Sequence, residues 1–458
     1  MGREVSTDKA LSWTEEKKSA GKVLVDYAGA LEGRRIGRLQ NMEVYAAVYS
    51  EQLQTSLRPS RARLLAQPAA SRNANLTMNV ARSLVETEHA TITEAMPRPT
   101  FLTEDGNQPQ QDKARELQFA VDGLMSDLRG YETIERAELD KCVLGTGCHK
   151  VHVVNARPAI DRVLISEILV DEDLVGASQD PRQIIHRPEV PRDLALAQFR
   201  GMGAAVRKAI EDAPALVMSS LQGMRADLIA LYDAYSLPLD ADTPGKHAFA
   251  VDGYDDFLWQ EPWKKPRLPF VFQRWQRPTV GFYGVGIVEQ VLGIQIEINR
   301  FYRTVSAALK RWGVPTAVIQ SILKLDQLKW TNSPNGNFLV VEPGGSAPVM
   351  LNSTVLTPEV MQWLEFQIDT AYKATGISQN TAFAQREEGV PSARGQREIS
   401  QKGASRLAPQ SKQYERAFVD TAWLLDDIIR ELHENKTPLV ISSVDQGALH
   451  RVNIAEAI

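Results

Sequence analysis

Within the stretch CVLGTGCHKVH, Cys142, Cys148, His149 and His152 fall in eleven residues, and these are the ligand types that zinc takes. A structural zinc site pairs ligands two to four apart on a knuckle and draws its second pair from elsewhere in the chain. HKVHVV has the composition of a strand, where neighbours point to opposite faces, so Cys148 and His149 are poorly placed to share one ion. The expectation is a helix–turn–strand junction with small buried cysteines and no metal. Asp171, Glu172 and Asp173 are consecutive carboxylates of the kind that hold two magnesium ions in nucleases. No Lys or His base stands beside them, and adjacent acids after a strand predict a solvated turn.

A third candidate is GFYGVGIVEQ, residues 281–290, with three glycines ahead of a long apolar repeat. A dinucleotide fingerprint needs three glycines after a buried strand. Gly284 and Gly286 supply two, Glu289 stands where the third belongs, and FVFQRWQRP precedes them with Arg274, Arg277 and Pro278. A phosphate loop needs Ser or Thr after Gly-Lys, but Gly21-Lys22 is followed by Val23 and Gly245-Lys246 by His247. No nucleophile elbow, HExxH or kinase signature is present. The glycines predict a tight turn into a helix, and the chain reads as a non-enzyme without cofactor. From Arg386 to Arg416 seven basic residues stand against four acids, a mild excess suited to phosphate contact without base readout or to a solvated helix face.

The elements that must carry these residues follow from pattern. The 458 residues allow for about three domains, and 43% hydrophobic with 24% charged is the composition of a folded protein with a large core. No run of eighteen apolar residues exists and the N-terminus lacks a signal core, so neither membrane spanning nor secretion is expected. Two cysteines fit a reducing compartment. A net charge of -5 argues against coating DNA by uniform positive charge.

Broken helices are predicted to about residue 75, then a helix from Leu76 to Met96 stopped by Pro97 and Pro99. EDGNQPQQD is a loop by composition, and a helix runs from Asp112 to about Leu144. Short strands around one helical patch fill the region to about residue 275, an α+β pattern. Ile287, Val291, Ile294, Ile298, Phe301, Val305, Ala308 and Trp312 then recur at steps of four and three, an apolar seam along about 39 Å of helix. Gly313 and Pro315 end it. Residues 314–356 read as short strands with turns at Pro334-Asn335-Gly336 and Gly344-Gly345. Thr357-Pro358-Glu359 opens a second helix that Gly376 closes. Residues 377–392 have no period and read as a mobile loop, and a third helix runs from about Ala393 to Asn435 with a kink expected at Pro409. The last residues read as short strands.

This order resembles the portal, or head-to-tail connector, proteins of tailed bacteriophages over roughly residues 40–440. LPFVFQRWQRPTVGFYGVGIVEQVLGIQIEINRF is similar to the portal passage into the first stem helix. TGISQNTAFAQREEGVPSARGQREISQKGASRLAPQSKQYERAF is similar to the passage from second stem helix through tunnel loop to the long wing helix. LDKCVLGTGCHKVHVV resembles the helix, turn and strand of the wing. The resemblance implies an α+β, mostly helical portal fold assembled as a ring: a wing at 1–283, a first stem helix at 284–312, a clip at 313–356, a second stem helix at 357–375, a tunnel loop at 376–394, a long kinked wing helix at 395–435, and C-terminal wing strands at 436–458 with the crown absent or rudimentary.

It also implies a dodecameric homo-oligomer at one capsid vertex, in the host cytoplasm during assembly and in the virion afterwards. Double-stranded DNA would pass through its channel without sequence readout, and its partners would be the major capsid protein, the terminase large subunit and a head-tail adaptor, with no membrane. Packaging energy would come from a partner ATPase. Arg386, Arg394 and Arg397 would lie near the DNA path, Lys324, Asp326 and Lys329 on the clip surface, and Gly281, Gly284 and Gly286 at a wing-to-stem hinge. The rival readings are another oligomeric virion protein, such as a tail adaptor or scaffold, and a metal-dependent nuclease using Asp171 to Asp173.

Overall fold

The computed structural model describes residues 13–14, 19–50, 78–103, 106–154, 157–175, 180–216, 227–240, 243–312, 316–320, 337–341, 358–376, 393–434, 440–445 and 448–453. Two helices come first, α1 (Ala20–Arg34) and α2 (Ile36–Tyr49). Ahead of them Trp13 is fully buried against Leu24, Tyr27 and Leu31 of α1 and against Leu169 and Tyr232. Helix α3 (Val80–Thr93) starts at Asn79, whose side chain accepts from the Arg82 N–H at 2.9 Å, a capping bond that satisfies one of the helix's open donors.

The apolar period predicted one helix from Asp112 to Leu144. The structure has two, α4 (Gln108–Asp127) and α5 (Gly130–Leu144), because Arg129 adopts left-handed backbone, φ 52°, and reverses the chain. A left-handed non-glycine residue leaves no composition signal, which is why the period ran through it.

Two sheets follow. β1 (Thr146–Val154) lies between β2 (Arg157–Val163) and β9 (Phe270–Arg274), antiparallel to both, with Cys148 opposite Val163 on one side and Phe272 on the other. The larger sheet runs β3 (Ile168–Leu169), β4 (Gln183–His186), β6 (Leu228–Ser236), β7 (Gly245–Val251) and β8 (Trp259–Trp263), all antiparallel, with β5 (Glu189–Pro191) added on β6. Short helices α6 (Glu172–Val175), α7 (Arg192–Gln198) and α8 (Ala204–Asp212) sit in its connections. Eight of the nine residues of β6, Ile229–Ser236, are buried, so both faces of the strand are covered.

The second half is helical. α9 (Ile287–Trp312) carries the long seam, and α10 (Pro358–Thr375) begins on proline, whose fixed φ suits the first helical position. Gly376 ends α10 at φ 90°. Between the two helices β10 (Thr316–Gln320) pairs in parallel with β11 (Asn337–Val341). The expected Pro334-Asn335-Gly336 and Gly344-Gly345 turns, and the Thr357 cap, lie outside the described residues. α11 (Ala393–Glu434) is one helix of 42 residues that continues through Pro409. A final antiparallel hairpin, β12 (Val440–Asp445) and β13 (Ala448–Asn453), packs against α4.

The largest core joins α3, α4, α5, α9, α10 and α11 through Leu84, Met125, Ile134, Val288, Ile298, Tyr372, Phe418 and Leu425. The fold is therefore mixed helix and sheet, with α1 against one face of the larger sheet and α7 and α8 against the other. Among the described residues no helix is long and apolar enough to cross a membrane.

Candidate functional site

The start of α9 is where three of the sequence candidates meet. Gly145 ends α5 in left-handed backbone, φ 87°, and its N–H donates to the Lys141 carbonyl at 3.0 Å. The chain around Gly284 lies directly against it. A Cβ on Gly145 would stand 2.2 Å from the Gly284 carbonyl oxygen, and one on Gly284 would stand 2.4 Å from the Gly145 oxygen. One on Gly286 would meet the Gly145 nitrogen at 2.8 Å. These are backbone obstacles, which cannot swing aside as a side chain does. Of the three predicted hinge glycines only Gly281 has positive φ, 101°, and there a Cβ would also meet Glu172 Oε1 at 2.9 Å. Gly281 thus serves the turn, whereas Gly284 and Gly286 serve close approach.

The N–H groups of this loop are used by the chain itself. Phe282 N–H donates to Glu172 Oε1 at 3.2 Å, Gly284 N–H to Thr146 Oγ1 at 2.8 Å, and Val285 N–H to the Gln276 carbonyl at 3.0 Å. A phosphate cradle needs such donors turned outward. Here they hold α9 to the end of α5 and to the β region. Arg274 strengthens the joint from beneath: its Nε donates to the Phe282 carbonyl at 2.7 Å and its guanidinium lies 4.6 Å from the Phe282 ring centre. Burial of that guanidinium lowers its pKa to about 10.

Beside the joint opens a pocket of about 560 Å³ lined by Arg34, Arg35 and Arg38 on one wall and by Asp171, Glu172, Asp173, Glu289 and Tyr283 on the other. Arg34 pairs with Asp173 at 2.8 Å and Asp171 at 3.6 Å, and Asp171 also accepts from the Tyr27 hydroxyl at 2.9 Å. Arg38 lies 3.7 Å from Glu172 and 4.8 Å from the Tyr283 ring centre. Arg35 donates to the carbonyls of Ser166, at 2.6 Å, and of Ile168, tying the α1–α2 corner to the sheet. Asp171 and Asp173 share Arg34, while Glu172 turns to Arg38 and to the Phe282 N–H. Glu172 and Asp173 are exposed, as expected of a solvated turn, and α1 and α2 bring arginines to them across more than 130 residues.

The cysteine and histidine cluster divides as strand alternation requires. Cys148 packs with Met42, Val163 and Phe282 on one face of β1, while His149 Nε2 meets Thr421 Oγ1 of α11 at 2.8 Å on the other. Both cysteines are free and buried, and burial raises their thiol pKa values well above the usual value. Burial lowers that of His149 to about 3, so the ring is neutral. Among the described residues no group of three His, Cys, Asp or Glu side chains is placed to hold a metal ion.

Two buried charged clusters were missed by the reading of the sequence. In the first, Lys150 of β1 bonds Asp233 of β6 at 2.5 Å, His247 bonds the same carboxylate at 2.9 Å, and His247 reaches Glu261 at 3.0 Å. Burial alone would raise the Asp233 pKa, but Lys150 and the bonds from His186 and His247 overcome it and hold the carboxyl well below its usual range. This pair ties the small sheet to the large one. In the second, Glu88 of α3 is fully buried with neither carboxyl oxygen hydrogen-bonded in ordinary geometry. Burial raises its pKa to about 8, offset only in part by the Thr375 hydroxyl at the end of α10 and by Lys141. Lys141 is itself buried and paired with Glu138. The signal for the first cluster is recoverable in principle, since Lys150, Asp233 and His247 each interrupt an apolar strand.

α9 and α10 pack on each other with Phe301 and Trp363 ring centres 5.3 Å apart. Toward the core they bury Ile298, Leu364, Ile368 and Tyr372, and Gln295 of α9 accepts from the Ala81 N–H of α3 at 2.9 Å. Outward they expose Ile296, Met361 and Phe366, the last at 62%. Of the remaining candidates, Arg394 and Arg397 fall in the first turns of α11, described here as backbone. Arg386, Lys324, Asp326 and Lys329 lie outside the described residues. No protein-family model matches the chain, and no curated protein matches it significantly.

Proposed function

We propose that this chain is the subunit of a portal ring, a non-enzymatic dodecameric channel through which double-stranded DNA enters and leaves a virion. The observation that carries the reading is the pair α9 and α10: two amphipathic helices anchored in the core at Ile298, Leu364 and Ile368, separated by a small β insertion, that expose Ile296, Met361 and Phe366 on their outer surface. Large apolar side chains exposed together on packed helices mark a protein contact, and a closed ring of copies covers them without leaving an open edge. The long helix α11 after residues 377–392 completes the order of elements that the sequence resemblance rests on.

On this reading α9 and α10 are the stem, 313–356 the clip that meets the terminase large subunit and later the head-tail adaptor, and 376–394 the tunnel loop. The α/β region with α11 forms the wing, which faces the major capsid protein. The joint of Gly145 with Gly284 and Gly286 supports the reading by fixing how the stem leaves the wing. The net charge of -5 suits a channel in which DNA slides, since each phosphate contact would resist movement. Negative-stain electron microscopy of the purified protein tests the proposal. Top views with rotational symmetry and a central hole wide enough for duplex DNA are expected, and monodisperse monomers or dimers at high concentration would overturn it.

A further inference from the structure

The outer faces of α9 and α10 differ in charge as well as being apolar. α9 holds four basic residues against two acids, and α10 three acids against one base. The contact of Phe301 with Trp363 shows which side of each helix faces the other. At about 100° per residue, Arg303 and Ile296 lie about 200° and 220° round α9 from Phe301, and Glu365 and Asp369 lie about 200° and 240° round α10 from Trp363. Each set is thus on the side turned away from its partner helix within the chain. Arg303, Ile296 and Glu365 are all exposed. Nearby, Arg300 pairs with Glu297 at 3.6 Å and Asp369 with Lys373 at 2.5 Å, while Arg303 and Glu365 have no ion-pair partner among the described residues.

One flank of the helix pair is therefore basic with an apolar centre and the opposite flank is acidic. A two-fold contact through either flank would set like charge on like. A head-to-tail contact sets unlike charges together, and repetition of it closes a ring. We propose that the occupant of this surface is a second copy of the chain, with the Arg303 and Ile296 flank of α9 seated on the Glu365 and Asp369 flank of α10 in the next subunit. This rests on the portal reading and adds to it the polarity of the contact and the side chains that set it.

Charge reversal tests the contact, with assembly read by mass photometry across a salt series and folding checked by circular dichroism. Arg303→Glu, and separately Glu365→Lys with Asp369→Lys, should each lower the assembled fraction at least tenfold at moderate salt while the thermal melt of the chain stays unchanged. Combining all three reversals should restore assembly, which a nonspecific loss of packing would not. Raising the salt should weaken wild-type assembly, because partly exposed ion pairs are screened. Folded single-flank variants that assemble like wild type, or a folded triple variant that does not recover, would overturn this contact and leave the portal reading standing. A wild-type chain that never assembles would overturn both.

Discussion

The joint at the start of α9 and the outer surface of the α9–α10 pair are finished to different degrees. At the joint every close contact is internal: the Gly145 and Gly284 backbones touch, and Thr146, Glu172 and Gln276 take the loop's N–H groups. On the α9–α10 pair, by contrast, Phe366, Met361 and Ile296 are exposed among the described residues. The joint is specified by the chain's own backbone, and the helix pair keeps apolar surface in solvent. A rigid exit and an unfinished flank are what a subunit needs if its neighbours are to meet it at a fixed angle.

The sharpest way to break the comparison is at the joint. Gly284→Val puts side-chain carbon where the Gly145 carbonyl stands, and a loss of about 3 kcal/mol or more is expected, read as a lower urea midpoint or as failure to accumulate folded protein. A wild-type midpoint would mean that the joint yields and that the two regions are alike.

Next in size is Glu88, which couples α3 to the end of α10 from inside the core. Its folded pKa, about 8, lies above the ordinary value of 4.5. The folded state therefore holds the proton more tightly, and stability is fully present below the unfolded pKa and lost as pH rises through the folded one. Glu88→Gln should leave stability nearly unchanged at pH 4.5 and raise it by several kcal/mol by pH 8.5, at about 1.4 kcal/mol per pKa unit. Thermal melts of both chains across that range check the sign, and a gain independent of pH would point to packing alone.

The smallest effect is expected on the open flank. Phe366→Ser should change the stability of the isolated chain by no more than about 0.5 kcal/mol, since surface positions away from special features are tolerant. The same change should lower assembly. A large loss of stability in the isolated chain would show that Phe366 is covered from within and would erase the contrast.

Much of this was legible locally. The steps of four and three from Ile287 to Trp312, the proline opening α10 and the glycine closing it are each read within one turn of helix, and each marks an element in the structure. The alternation in HKVHVV separated Cys148 from His149 for a reason of strand geometry alone. What misled was equally physical. Arg129 breaks a helix through its backbone angle, which its side chain does not announce. The ion pairing of the acids at 171–173 was missed because their arginine partners lie far upstream.

By itself the sequence determined the periodic elements, the strand faces, and the placement of glycine at Gly281, Gly284 and Gly286, because period, alternation and the absence of a side chain are properties of neighbouring residues. Only the tertiary structure decided what those glycines are for, which acids meet which arginines, that Glu88 is enclosed without an ordinary hydrogen bond, and which flanks of α9 and α10 are left open. Each of these depends on two segments distant in the chain being brought within a few ångströms, and burial and charge pairing take their magnitude from that approach rather than from composition.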